Sequence, residues 1–198
     1  MRTQIATALA VAITAAISGT ALANDVGMVK TVAATAYGTA PGMGKVEKHE
    51  GDGISHRELL ETSSHGTMMV KFEDGSTLDL AAATKALVVA YVYKPEASIG
   101  NAIISLPAGE MHYVTGSMPK GHTTIYTPTA TMVLNGTDVT IGVNAQGYTH
   151  LKVAEGTVTV RSRSTGKEVR YSAGESVDIT PEGISASTAA LGIDPSWL

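Results

Sequence analysis

The strongest constraint on the fold is the alternation of apolar and polar side chains at residues 123–160. This stretch reads TTIYTPTATMVLNGTDVTIGVNAQGYTHLKVAEGTVTV. Alternation over short runs is typical of strands that bury one face. Thr-Pro, Asn-Gly and Glu-Gly pairs interrupt the runs, and such pairs favour tight turns. The stretch therefore predicts four short strands separated by turns.

The same pattern continues through much of the remaining chain. Asp-Gly at 74–75, between apolar strands, predicts a hairpin, and the turn at 107–110 predicts another. The run ALVVAYVY at 86–93 predicts a central strand that is covered on both faces. Aromatic residues make up only 5% of the chain, so Val, Ile, Leu, Met and Ala must build the core. Regular short strands predict an all-β fold, namely a mostly antiparallel β-sandwich or a related closed architecture.

The first 23 residues have the layout of a secretory signal peptide. Arg2 gives a positive start, residues 5–17 form an uncharged apolar run, and Ala21-Leu22-Ala23 is an A-x-A cleavage site. We expect cleavage between Ala23 and Asn24 and export to the periplasm or beyond. An uncleaved membrane anchor is the alternative, but the run is shorter than the roughly 20 residues that span a bilayer. The predicted organisation is a signal peptide at 1–23, one β domain at 24–183 and a C-terminal tail at 184–198.

Charge and the lack of cysteine exclude several classes of protein. The chain has 14 Lys and Arg against 18 Asp and Glu, a formal net charge of −4. Nucleic-acid binding is not expected, because phosphate contacts depend on clustered Lys and Arg. A chain without cysteine forms no disulfide and no thiolate metal site. Its stability must therefore come from the core and the hydrogen-bonded ladders.

Five phrases occur in a fixed order along the chain. From the N-terminal end they are GDGI at 51–54, FEDGSTL at 72–78, LPAGEM at 106–111, IYTPTA at 125–130 and LKVAEGTVTV at 151–160. Their order and spacing resemble the FecR domain, the extracytoplasmic sensor part of iron-citrate-type transmembrane regulators. The resemblance extends over residues 26–183. It implies a mostly antiparallel β-sandwich of jelly-roll type.

The resemblance also implies a sensor role, but the chain departs from the layout of that family. A complete regulator of this type has a cytoplasmic N-terminal segment that controls a sigma factor, then a membrane helix, then the sensor domain. Only residues 1–4 precede the apolar run here. We therefore expect an isolated sensor domain in the periplasm, without the segment that acts on a sigma factor.

No arrangement of residues in the sequence indicates catalysis or a bound cofactor. There is no G-x-S-x-G nucleophile elbow and no cysteine nucleophile. The GMGK phrase at 42–45 lacks the first glycine and the final hydroxyl residue of a phosphate-binding loop. Glu58, Glu61, Glu73 and Asp74 fall in expected turns, where charges are ordinary. We predict a protein that is not an enzyme and has no catalytic, cofactor-binding or metal-binding residues.

The six histidines do not predict a metal site. Metal-binding jelly rolls usually have a close His-x-His pair with a Glu, and this chain has no such pair. His112 and His150 lie in strands whose alternation points them away from the core, so we expect solvated side chains. His49, Asp52 and His56 form the only local cluster with ligand character, and we do not predict that it binds metal.

One local cluster of cations is the candidate for binding a partner. It consists of Arg161, Arg163, Lys167 and Arg170. An acidic protein or an anionic envelope polymer would suit this cluster. The alternative is that these charges protect an exposed edge strand from aggregation.

The predicted function is a non-enzymatic periplasmic module that senses or binds another envelope protein, whose identity the sequence does not give. The alternative is a carbohydrate-binding jelly roll that recognises peptidoglycan or a surface polysaccharide. Tyr91 and Tyr93 could stack on a sugar, but their apolar neighbours favour packing in the core. Contact with a membrane is expected only through an uncleaved signal segment.

Overall fold

The computed structural model describes residues 25–185. The predicted signal peptide, with its cleavage site at Ala23 and Asn24, lies outside the described residues. Most of the predicted tail at 184–198 lies outside them as well. Within the described part, no helix is long and apolar enough to cross a membrane.

The described chain consists almost entirely of strands connected by turns. It contains fifteen strands and one short 3₁₀ turn at Pro95–Ala97. The strands are β1 (Gly27–Ala33), β2 (Ala36–Thr39), β3 (Val46–Glu47), β4 (Gly53–Ile54), β5 (Glu58–Thr62), β6 (Thr67–Phe72), β7 (Thr77–Leu80), β8 (Lys85–Lys94), β9 (Ile99–Val114), β10 (Thr123–Tyr126), β11 (Ala130–Val143), β12 (Thr149–Ser162), β13 (Glu168–Ser172), β14 (Ser176–Thr180) and β15 (Gly183–Ser185).

These strands form one continuous hydrogen-bonded sheet. Its main path runs in the order β15-β14-β12-β11-β10-β9-β7-β6-β1-β4. Strand β13 attaches to β12, and the branch β8-β5-β2-β3 attaches to β9. Strand β10 runs parallel to β9, and every other pair of described strands is antiparallel. The predicted all-β, mostly antiparallel fold is confirmed, whereas the sandwich of jelly-roll type stays a prediction.

Three long strands bend, and their two halves pair with different neighbours. The first half of β9 pairs with β8 and β10, and its second half pairs with β7 and β11. Gly109 in β9, Gly136 in β11 and Gly156 in β12 have positive φ values of 91°, 62° and 78°. Residues with a side chain rarely adopt this conformation. A Cβ on Gly156 would overlap the carbonyl oxygen of Gly136, so the bends of β11 and β12 lie directly against each other.

The hairpin predicted at 107–110 is wrong, because β9 continues through these residues. The four short strands predicted at 123–160 are instead β10 and the long strands β11 and β12. A glycine with positive φ suits either a reversing turn or a bend within a strand. At Gly109, the residues before and after the glycine pair with different strands, and the chain bends without reversing.

Buried apolar side chains from the different parts of the sheet meet in one core. Phe72 of β6 stacks on Tyr91 of β8, with 4.1 Å between ring centroids and 8° between ring planes. This contact joins the main path of the sheet to its side branch. Tyr91 is 1% exposed, which confirms its predicted packing in the core, and Tyr93 is partly buried against the same cluster. Tyr91 therefore offers no surface to a sugar.

The FEDGSTL phrase forms the β6–β7 hairpin around a buried carboxylate. One oxygen of Asp74 accepts hydrogen bonds from the hydroxyl of Tyr91 at 2.6 Å and the amide of Ser76 at 3.0 Å. The other accepts from the hydroxyl of Ser76 at 2.6 Å and the amide of Met118 at 3.1 Å. Asp74 is 4% exposed, so the expectation of an ordinary solvated charge is wrong for this residue. Its carboxylate fastens the hairpin to β8 and to the loop after β9.

The IYTPTA phrase connects β10 to β11 and contributes a set of buried hydroxyl groups. The hydroxyl of Thr127 accepts a hydrogen bond from the amide of Ala130 at 3.0 Å. Thr149 of β12 donates to that hydroxyl at 2.7 Å, and Thr129 lies 2.7 Å from Thr149. Thr129 also donates to the carbonyl oxygen of Ile179 in β14 at 3.0 Å. The threonines therefore hold this turn against two further strands.

Replacement of Thr129 by valine is expected to lower the free energy of unfolding by about 1–2 kcal/mol, because a buried carbonyl oxygen loses its donor. Denaturation with urea, followed by circular dichroism, measures the change. Thr131→Val is the matched control on the exposed side of β11, and it should shift stability by no more than about 0.5 kcal/mol. Equal effects of the two substitutions would contradict a structural role for the buried hydroxyl.

Candidate functional site

The four predicted cations lie together on the β12–β13 hairpin, here called the basic hairpin (Arg161, Arg163, Lys167 and Arg170). Arg161 is near the end of β12, Arg170 is in β13, and the other two are in the connecting turn. All four side chains are exposed. Register places Arg161 opposite Glu168, two residues from Arg170 along β13. Arg161 and Arg170 are therefore diagonal neighbours on one face of the sheet.

Strand β13 is an edge strand, because in the described part of the chain it pairs only with β12. The amide of Ser162 donates to the carbonyl oxygen of Lys167 at 2.9 Å, which fixes the phase of this ladder. In an antiparallel pair, hydrogen-bonded residues alternate with residues whose amide and carbonyl point to the opposite side. Glu168 and Arg170 belong to the second group. Their main-chain groups therefore face the free edge.

The cations of the basic hairpin lack carboxylate partners. Among residues 25–185, no carboxylate oxygen lies within 4.0 Å of the side-chain nitrogens of Arg161, Arg163, Lys167 or Arg170. The guanidinium of Arg163 donates instead to the carbonyl oxygen of Thr127 at 3.0 Å, which holds it in place. Lysines elsewhere on the surface do pair with glutamates. The hairpin thus carries positive charge that its own fold leaves uncompensated.

An exposed tyrosine lies in the same row of side chains as the basic hairpin. Cross-strand register runs from Tyr126 in β10 through Thr131 in β11 to Arg161 in β12. Tyr126 is 38% exposed and is one of a few large apolar side chains on the described surface. Tyr and Arg are enriched among the residues that dominate binding energies at protein interfaces. Two of the three residues in this row, Tyr126 and Arg161, are of these types.

A second polar site, which sequence reasoning missed, lies on the outer side of β7, β9, β11, β12 and β14. Nε2 of His112 lies 2.7 Å from Oδ1 of Asp138, and its Nδ1 lies 3.6 Å from Oδ2 of Asp79. Nδ1 of His150 lies 2.6 Å from Oδ1 of Asp178. Both histidines point away from the core as predicted, but they are paired with carboxylates and not simply solvated. Within residues 25–185 neither ring is hydrogen-bonded to a hydroxyl nucleophile.

A groove of about 320 Å³ opens beside His112, and its lining includes the acidic side chains of Asp79 and Glu110. Burial raises the pKa of Asp79, and the charge of His112 opposes that rise. Burial also raises the pKa of Glu110, against the charge of His150. Gly142 lies between Glu110 and His150 in register, and a Cβ on Gly142 would lie 3.7 Å from Oε2 of Glu110, an ordinary van der Waals contact.

The raised pKa of Glu110 predicts a pH-dependent effect of Glu110→Gln. The Glu110 carboxyl group stays protonated to a higher pH in the folded state than in the unfolded state. Its contribution to wild-type stability is therefore lost as pH rises through the folded pKa. The glutamine variant has no such group, and its stability relative to wild type should increase between pH 4 and pH 7. Urea denaturation at both pH values measures this. If the stability of the glutamine variant relative to wild type is the same at both pH values, or is lower at pH 7, the prediction is contradicted.

The only predicted cluster with ligand character does not assemble into a metal site. Oδ2 of Asp52 accepts a hydrogen bond from the amide of His49 at 2.8 Å. Nδ1 of His56 accepts instead from the amide of Tyr91 in β8 at 3.1 Å. In the part of the chain that the structure describes, no group of three or more His, Asp or Glu side chains is placed to hold a metal ion.

Comparison of the sequence with protein families gives one match. The family described as FecR protein matches residues 58–159, slightly more than half of the 198 residues. This match confirms the resemblance that the five phrases predict. No curated protein matches the chain.

Two solved structures from Parabacteroides distasonis ATCC 8503 share the fold, and both are described as a "putative anti-sigma factor". One, at 2.50 Å resolution, has a TM-score of 0.52 and 13% identity, and the match covers 64% of this chain and 56% of that one. The other, at 1.65 Å, has a TM-score of 0.50 and 14% identity, with coverage of 64% and 57%. The chain therefore spans a little more than half the length of the solved proteins that it matches. At these identities the likeness concerns the fold alone.

Proposed function

Because the chain belongs to the FecR protein family, we propose that it is a regulatory module that binds another envelope protein in the periplasm. Membership of a family of sensor domains supports the regulatory role. The description of two proteins with the same fold as anti-sigma factors agrees with it. The signal-peptide pattern at residues 1–23 supports export.

The basic hairpin is the observation that carries the binding role. Its four cations lie within ten residues of a chain with a net negative charge, and the described fold gives none of them a carboxylate partner. An acidic protein surface would complete the missing ion pairs and cover Tyr126.

The buried carboxylates of Asp74 and Glu58 support a role without catalysis. Both oxygens of Asp74 are occupied by hydrogen bonds from the protein itself. Glu58 binds the ammonium group of Lys48 at 2.7 Å and the amide of Ser55 at 2.8 Å. A general acid or base must instead reach a substrate proton with a free oxygen. These groups serve the fold.

Crosslinking in living cells tests the proposal. A tagged chain is expressed in its host and treated with a membrane-permeant crosslinker, and the captured proteins are identified by mass spectrometry. We expect a specific envelope protein, recovered from the periplasmic fraction. Recovery of the tagged chain only from the cytosol, or recovery of no specific protein, would overturn the proposal.

A matched pair of variants locates the binding surface in that experiment. Arg161→Gln, Lys167→Gln and Arg170→Gln together should reduce recovery of the partner at least about fivefold, since exposed ion pairs contribute up to about 1 kcal/mol each. Lys30→Gln, Lys71→Gln and Lys152→Gln remove the same charge from exposed positions outside the basic hairpin. Equal losses with the two triple variants would show that only net charge matters and that the basic hairpin is not the site.

A further inference from the structure

We propose that the free edge of β13 binds an extended acidic segment of a partner protein as an additional strand. This binding mode rests on the proposed function and specifies the edge, the geometry and the chemistry of the partner. It goes beyond attraction between charges, because it requires main-chain hydrogen bonds to defined residues.

The main chain of β13 is ready for such pairing over a short length. The amides and carbonyls of Glu168 and Arg170 face the free edge, as the phase of the β12–β13 ladder requires. The amide of Ser172 is not available, since it donates to Oε2 of Glu175 at 2.6 Å. Exposed edges with unpaired amides and carbonyls readily accept extended peptides. The added strand therefore pairs at Arg170 and extends toward Glu168.

The side chains on the outer face of β13 determine the charge of the partner. A residue opposite Arg170 on the added strand would have its Cβ about 5 Å away, within reach of an ion pair. Arg161 lies diagonally behind Arg170 and reinforces the preference for a carboxylate there. Glu168 carries the opposite charge, so the residue facing it must be neutral or basic. The four cations outweigh this single acid, and the segment as a whole must be acidic.

The residues of β13 that point toward the core side determine which side chains the partner needs on its other face. Val169 is half-buried and Tyr171 is 8% exposed, and both belong to the core side of the strand. Apolar residues between the acidic positions of the added strand would cover the exposed margins of these two side chains. The expected ligand is thus a short segment in which acidic and apolar residues alternate. An anionic polysaccharide satisfies the charges alone.

Binding of a labelled peptide to the protein purified from the crosslinking strain tests this mode. The probe is an eight-residue peptide of alternating Glu and Val with one central Thr, measured by fluorescence anisotropy. The controls are the same peptide with Gln for Glu, a version with methylated backbone amides on the pairing edge, and polygalacturonate as a competitor. We expect binding by the acidic peptide, a loss of at least tenfold for both peptide controls, and weak competition by the polymer.

Two substitutions at one position separate charge from strand pairing. Arg170→Gln should weaken binding of the acidic peptide about three- to fivefold, which is the effect of one exposed ion pair. Arg170→Pro should weaken binding of the same peptide more than tenfold, because proline also removes the amide that faces the free edge. Lys152→Gln on the other half of β12 should have little effect. Thermal denaturation checks that the proline variant is folded, and the methylated peptide tests the same bond from the ligand side.

The outcomes distinguish this binding mode from the proposed function. If methylated and unmethylated peptides bind equally, or if polygalacturonate competes at equivalent charge, the contact is electrostatic and strand addition is overturned. If the acidic peptide does not bind while crosslinking still recovers a partner through the basic hairpin, strand addition fails and the binding role remains. If crosslinking recovers no partner, the proposed function itself falls.

Discussion

Replacement of Asp74 by alanine is expected to lower the free energy of unfolding by about 3–5 kcal/mol, the largest single effect that the structure predicts. The substitution removes the acceptor of four hydrogen bonds, including those from the hydroxyl of Tyr91 and the amide of Met118. These donors belong to buried residues, so each loses its partner inside the protein. Urea denaturation monitored by near-ultraviolet circular dichroism measures the stability together with the packing of the aromatic side chains.

Two other variants determine whether the buried carboxylate is responsible. Asp74→Asn keeps one acceptor oxygen, so its free energy of unfolding should lie between those of wild type and Asp74→Ala. Glu73→Ala changes the exposed neighbour in the same turn and should alter stability by no more than about 0.5 kcal/mol. A loss below about 1 kcal/mol for Asp74→Ala would show that the hairpin does not depend on this network.

Local sequence signals predicted the strands and their turn residues well. The pair Asp74-Gly75 correctly indicated the β6–β7 hairpin, where Gly75 has a φ of 84°. The same kind of signal misled at Gly109, because positive φ describes one residue and not the path of the chain around it. The difference between a turn and a bend lies in which strands pair on each side. That information is carried by contacts between distant residues.

The polar groups inside and outside the sheet were not predictable for the same reason. Asp74 becomes buried through residues 17 and 44 positions away, Tyr91 and Met118. His112 and His150 meet Asp138 and Asp178, which are 26 and 28 positions away. Alternation correctly placed these histidines on the outer face. It gave no sign that carboxylates of neighbouring strands lie beside them.

The basic hairpin shows what a sequence can establish about a binding site. Four cations within ten residues were evident from the sequence, and so was a turn between them. Their meaning depends on two structural facts: the free edge of β13 and the absence of carboxylates beside the cations in the described region. Both facts depend on which distant residues the fold brings beside the hairpin, and local sequence does not contain that information.

Replacement of Lys48 by methionine is expected to lower the free energy of unfolding by about 3 kcal/mol, because it leaves a buried carboxylate without its counter-charge. Nζ of Lys48 lies 2.7 Å from Oε1 of Glu58, whose side chain is 2% exposed, and it also donates to the carbonyl oxygen of Gly53 at 2.8 Å. A Cβ on Gly38 would overlap Oε1 of Glu58 and Cε of Lys48, so the ion pair occupies the space beside this glycine. Urea denaturation measures the loss.

A double substitution separates the burial of charge from the loss of packing. Lys48→Met with Glu58→Leu removes both charges, and it should be more stable than Lys48→Met alone, since apolar pairs often replace buried ion pairs without loss. Lys45→Met breaks the more exposed pair with Glu61, where the lysine side chain is 48% exposed, and should cost no more than about 1 kcal/mol. If Lys45→Met and Lys48→Met cost the same, burial does not determine the importance of these pairs. If the double variant is no better than Lys48→Met, the ammonium group acts through packing and through Gly53, and the isolated charge of Glu58 is not the cause.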